Sequence, residues 1–174
     1  MKRLALLLLA MLLTAGCNPH QEAERIPQQQ AMPEEMPADF DFLVRYGYGE
    51  LTKNEINTYH DTVVKDLIVN GTATANLSLS EEDLAGIYER MRAANVMGEL
   101  ELKPSKQNCA ATPSQEDQWQ ITADGITRTL SWSDEYCEMT DDAKQLLELR
   151  NYIRDIVAAK AEYQALPEAE GGYD

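Results

Sequence analysis

Residues 118–132, QWQITADGITRTLSW, constrain the fold more than any other stretch, because two strands and the turn between them can be read together. Asp124-Gly125 suits a two-residue hairpin turn, whose central residues both need positive φ. Pairing outward from the turn places Trp119, Ile121, Ala123, Ile126, Leu130 and Trp132 on one face. Gln120, Thr122, Thr127, Thr129 and Ser131 share the other. A one-residue slip would send each of these side chains to the wrong face, so agreement of the two strands sets the register. Arg128 alone interrupts the apolar face, where its stem can snorkel from an edge strand.

Upstream, Phe40, Phe42, Val44, Tyr46 and Tyr48 alternate from about Asp39, a strand signal that Gly47 and Gly49 end or bend. Residues 50–60 read as turn. A second strand is expected over 61–69 (DTVVKDLIV), then the Asn70-Gly71 turn and a third strand carrying Ala73, Ala75, Leu77 and Leu79 on one face. Together these make an antiparallel meander. Ser80 and three following acids open a helix whose stripe is Leu84, Ile87, Tyr88 and Met91, ending near Asn95. Residues 101–117, with two prolines, form the least regular part. Thr140 caps a second helix to about Ala165, with Leu146, Leu149, Ile153, Ile156 and Val157 as its buried stripe, stopped at Leu166-Pro167. The order predicts an α+β domain over 39–166: an antiparallel sheet (N-terminal meander plus C-terminal hairpin) with two helices packed on one face, then a flexible tail at 167–174.

The N-terminus carries an address. Lys2 and Arg3 precede an unbroken apolar run, Leu4 to Leu13, too short to span a bilayer. Residues 1–16 therefore read as an export signal that is removed. The run LTAGC resembles the lipobox of bacterial lipoproteins, with Thr14 where an aliphatic residue is usual. That resemblance implies diacylglyceryl transfer to the Cys17 sulfur and cleavage after Gly16. Asn18 is similar to the residue found there in lipoproteins sent to an outer membrane, should the host be Gram-negative. Residues 17–38 follow as the lipidated cysteine and a Gln-, Glu- and Pro-rich disordered tether, with a reach on the order of 25 Å.

The formal charge of −15 grows once Lys2 and Arg3 are removed. Clustered cations for phosphate contacts are missing, so nucleic acid is excluded as a partner. An acidic surface is also repelled by anionic headgroups, which leaves the lipid on Cys17 as the membrane attachment. With Cys17 consumed, Cys109 and Cys137 remain as an even pair in an oxidising compartment. A disulfide between them would close a loop of roughly 28 residues, worth about 3–4 kcal/mol in the loop-entropy treatment. Metal binding is the competing use of the pair, although no His or other Cys lies close in sequence.

Catalysis finds little support. His60, beside Asp61, is the one candidate general base outside the tether, and no strand–turn–helix nucleophile motif accompanies it. Asp134, Glu135, Glu138, Asp141 and Asp142 are dense enough to suggest Ca²⁺, but they lack the EF-hand spacing and its glycine. Solvated capping acids explain them as well. Trp119, Trp132, Tyr46 and Tyr48 would form either an aromatic platform for sugar or peptide, or core. No catalytic residue, metal site or cofactor is assigned.

From Asp39 onward the chain resembles an uncharacterised family of small lipoproteins of Gram-positive bacilli. The resemblance is carried by FDFLVRYGYG, VVKDLIV, LSLSEEDLAGIYERM and EYQALPEAEGGYD. These motifs are structural and imply no activity. More distantly, the element order is similar to emfourin-type inhibitors of metalloproteases. The expectation is a lipid-anchored, non-enzymatic binding module on the extracytoplasmic face of a bacterial envelope, its protein or envelope partner unidentified. The alternatives are an inhibitor of a secreted protease, presenting the sheet edge or the 101–117 loop, and a hydrolase using His60.

Overall fold

A computed structural model describes residues 31–49 and 52–173. Its centre is a six-stranded antiparallel sheet of order β4-β3-β2-β1-β5-β6. The strands are β1 (Asp41–Tyr48), β2 (Asn54–Asn57), β3 (Thr62–Asp66), β4 (Thr72–Asn76), β5 (Gln115–Ala123) and β6 (Ile126–Ser133). Helices α1 (Glu81–Ala93) and α2 (Asp141–Ala158) contribute to the same apolar layer as the inward side chains of the sheet. The α+β class, the meander, the hairpin and the two helices on one face are all present.

The hairpin has the register its alternation demands. Trp119 faces Leu130, Ile121 faces Arg128, and Ala123 faces Ile126. Asp124 and Gly125 both have positive φ (53° and 73°), and the Asp39 carboxylate accepts hydrogen bonds from both of their backbone amides. Those two bonds hold the Asp39 carboxyl below its usual range, the Gly125 amide contributing most. Arg128 does reach sideways from the edge strand, donating to the Gly98 carbonyl. Both helix starts are capped as their sequences require. Ser80 and Asp83 form a reciprocal capping box, and Thr140 Oγ1 accepts from the Ala143 amide.

The structure corrects the sequence reading at several places. Residues 50–60 include a strand, β2 (NEIN), in which only Ile56 is apolar. Its polar residues satisfy one another and their neighbours across the sheet: Glu55 bonds Arg45 at 2.6 Å and Asn57 at 3.0 Å, and Asn54 accepts from the Asp66 amide. The irregular stretch 101–117 ends early, because Gln115, Glu116 and Asp117 already pair with Tyr48, Gly47 and Tyr46. The second helix does not run unbroken to Ala165. Lys160 is extended and a short helix, α3 (Ala161–Gln164), follows, while the Lys160 ammonium pairs with Asp83 at the start of α1.

Both ends of the domain are more firmly held than their composition suggests. Of the stretch expected as tether, residues 31–38 are described, and here Met32 is buried in the core while the Tyr88 hydroxyl donates to Pro33 O at 2.8 Å. One apolar side chain and two backbone acceptors suffice to dock the segment. Residues 167–173, expected to be loose, run beside the β3–β4 turn, where Glu170 bridges Ile68 and the two backbones exchange bonds. Tyr173 then closes over the ends of β1 and β3, stacking on Tyr48 and donating to the buried Asp66.

Candidate functional site

The sheet turns one face to the core and leaves the other outside it. Strand alternation puts Leu43 and Arg45 of β1, Glu116, Gln118, Gln120 and Thr122 of β5, and Thr127, Thr129, Ser131 and Ser133 of β6 on that face. Two concavities lie along it. One of about 380 Å³ is lined by Leu43, Arg45, Gln118, Gln120, Thr129 and Ser131. A second of about 210 Å³ adds Glu116, Ser133, Leu102, Lys103, Glu135 and Tyr136. They share Gln118 and Ser131, so they form one trough that runs along β5 and β6.

Its far wall is the segment that the cysteines tie down. Cys109 and Cys137 stand at disulfide distance, with Cα atoms 5.5 Å apart. The Ala111 amide donates to Glu135 O at 2.7 Å, Ala110 bridges Tyr136, and the Gln115 amide donates to Asp134 Oδ1 at 2.6 Å. On the other side the Glu101 amide donates to Asp142 Oδ2 at 2.7 Å, and Leu100 and Leu102 pack on the core. Residues 103–108 are left as an arch pinned at both feet. Residues 102–115 carry two lysines and no acid, in a chain of net charge −15.

The remaining candidates fall elsewhere. Cys17 lies outside the described residues. His60 is exposed in the β2–β3 turn, and its Nδ1 lies 2.9 Å from the adjacent Tyr59 carbonyl; among the described residues it bonds to no hydroxyl or thiol. The acidic group is spread over separate tasks: Asp134 and Asp142 hold backbone amides, and Asp141 pairs with Lys144. Among the described residues no group of three or more His, Cys, Asp or Glu is arranged to hold a metal ion. Trp119 and Trp132, 2 % and 4 % exposed, and the buried Tyr46 belong to the core, so they make no platform. Tyr48 is the exception, half-exposed against Tyr173.

One pair was not anticipated. Asp117, fully buried on the core face of β5, lies 3.4 Å from the Nε of Arg150, itself 5 % exposed on α2. Arg150 also donates to Gln115 Oε1 at 2.8 Å and stacks over the Tyr46 ring. Burial pushes the Asp117 carboxyl up to about 7, against the opposing pull of the guanidinium. The nearby Trp119 indole favours the charged form without completing a hydrogen bond. A buried ionisable pair is often a mark of function. Here it joins β5 to α2 beneath the trough and is shut off from solvent, which suits a structural role.

No family model matches the chain, and no curated protein and no solved structure matches it.

Proposed function

We propose that the protein is a non-enzymatic binding module, held by lipid on Cys17 at the extracytoplasmic face of a bacterial envelope, and that it binds through the outer face of β1, β5 and β6. The address rests on the basic start, the short apolar run and the LTAGC motif. The observation that carries the binding reading is the trough, a polar concavity on the outer face of the sheet, with a cysteine pair at disulfide distance beside its wall. Specific sites are concave and few, with a small number of placed polar groups. Among the described residues no helix is long and apolar enough to cross a membrane; in this reading the acyl chains on Cys17 supply the attachment.

Photo-crosslinking in native membranes tests this directly. A crosslinker at Gln118 or Thr129 should capture an envelope component, and one at Lys144 on the exposed side of α2 should not. Equal capture from both positions would refute the surface assignment. Cys17→Ser should abolish labelling by a fatty-acid analogue; continued labelling would refute the anchor.

A second reading, inhibition of a secreted protease, is favoured by the arch at 103–108. Protease–inhibitor contacts reward a preorganised loop, and this one is exposed and staked at both ends. Loss of inhibition in Lys106→Ala, with the crosslinks at Thr129 unchanged, would support it over the trough.

A further inference from the structure

We infer that the trough takes an uncharged, hydroxyl-rich glycan laid along β5 and β6, a claim that rests on the reading of this face as the binding surface. The outer face changes character along its length. Near the hairpin turn its hydroxyls are already spent, since Thr122 Oγ1 lies 2.7 Å from both Thr127 Oγ1 and Tyr59 Oη. In the trough the side chains of Gln118, Gln120, Thr129 and Ser131 make no hydrogen bond to protein among the described residues, though they line one continuous surface.

The chemistry of these groups matches sugar hydroxyls. A carboxamide offers two donors and an acceptor, and a hydroxyl offers both roles. Adjacent hydroxyls on a pyranose likewise donate and accept. Leu43 and the Tyr136 ring supply apolar surface in the same trough for the C–H faces of the ring. From Thr129 to Ser133 the trough extends about 13 Å at 3.3 Å per residue, and two strand spacings make it about 10 Å wide, the dimensions of a short oligosaccharide.

Charge argues the same way. The trough is close to neutral on a chain of −15: Arg45 and Lys103 stand against Glu116 and Glu135, and Arg45 is already paired with Glu55 at 2.6 Å. A polyanion is repelled by the field of the whole domain, and among the described residues no group of acids converges in the trough to hold a cation. An extended peptide would need a sheet edge to satisfy its backbone, whereas a sheet face presents only side chains.

The test is titration of the full chain, in detergent micelles, against an array of neutral oligosaccharides, with an uncharged Gly-Ser peptide alongside. Saturable binding of a neutral oligosaccharide and not of the peptide is expected. Gln118→Ala combined with Gln120→Ala should weaken it about tenfold, the value of one or two lost hydrogen bonds. Tyr136→Ala should weaken it too, and Thr129→Val checks the site with the strand kept intact. All of these should leave the melting temperature unchanged. If no neutral oligosaccharide saturates while the Thr129 crosslinker still captures an envelope component, the glycan assignment is overturned and the surface reading survives. If the glutamine variants alter neither titration nor crosslinking, both fall.

Discussion

Replacing Asp117 with Asn should change how the stability of this domain depends on pH, and the direction follows from burial. The Asp117 carboxyl ionises near 3.8 when unfolded and at about 7 when folded. Between those values the folded protein keeps a proton that the unfolded chain has released. The unfolded state therefore binds fewer protons, and stability falls as pH rises from about 4 to about 7. Roughly three units at 1.36 kcal/mol each set an upper bound of about 4 kcal/mol. Asp117→Asn keeps the shape and removes the exchange. Urea unfolding of both proteins at several pH values from 4.5 to 8 isolates the effect as the difference between two curves. That difference should shift in favour of the variant by about 2–4 kcal/mol across the range. Asp39, Glu55 and Asp83 have lowered values, so their contributions are present above the usual carboxylate range and are lost only at more acidic pH. They cannot mimic the trend. A constant offset between the two curves would refute the assignment of a buried, proton-holding Asp117.

Trp119→Ala should cost about 3–5 kcal/mol, because the indole is core; a melt like that of the wild type would return the tryptophans to the surface. Non-reducing peptide mapping should recover Cys109 linked to Cys137, and Cys109→Ala with Cys137→Ala should lower stability by about 3–4 kcal/mol; free thiols in native membranes would refute the link. Ending the chain at Pro167 should speed amide exchange at Val69, whose N–H donates to Glu170 O, more than at Leu67, whose N–H bonds Gly71 O within the turn; unchanged protection at Val69 would show that the tail contributes nothing.

The hairpin was legible because turn chemistry, alternation and register are all local, and each of its strands carries the same instruction. The helix starts were legible for the same reason, with Ser80 and Thr140 beside their acids. The cysteine pairing followed from counting. β2 was not legible: NEIN shows one apolar residue, and what makes it a strand is Arg45 and Asp66 on its neighbours. The docking of Met32 and Tyr173 depends on partners more than 50 positions away, Tyr88 and Asp66. The break at Lys160 carries no Gly or Pro, and the partner its side chain meets there, Asp83, is 77 positions away. The polar face of the hairpin was read correctly as a face. Its becoming a trough needed β1 beside it and the 102–103 and 135–136 segments at its end, which only the fold supplies.

Residues 31–33, the first described, lie beside Ala123, Asp124 and Ile126 at the hairpin turn. Cys109 and Cys137 lie beyond the other end of β5 and β6, whose length over Gln115–Ala123 is about 26 Å at 3.3 Å per residue. Were Cys17 the anchor, as proposed, tension on it would reach the domain at the hairpin-turn corner, at the end of the sheet opposite the arch. A tug between a ligand seated along β5–β6 and the acyl chains would then draw β1 lengthwise past β5. Hydrogen bonds between antiparallel strands lie across that direction. The whole ladder from Asp41–Thr122 to Tyr48–Gln115 would carry the pull together, in shear, instead of opening one rung at a time. Such an arrangement resists force far better than a strand peeled from its end, and it would suit a tie between two layers that move against each other.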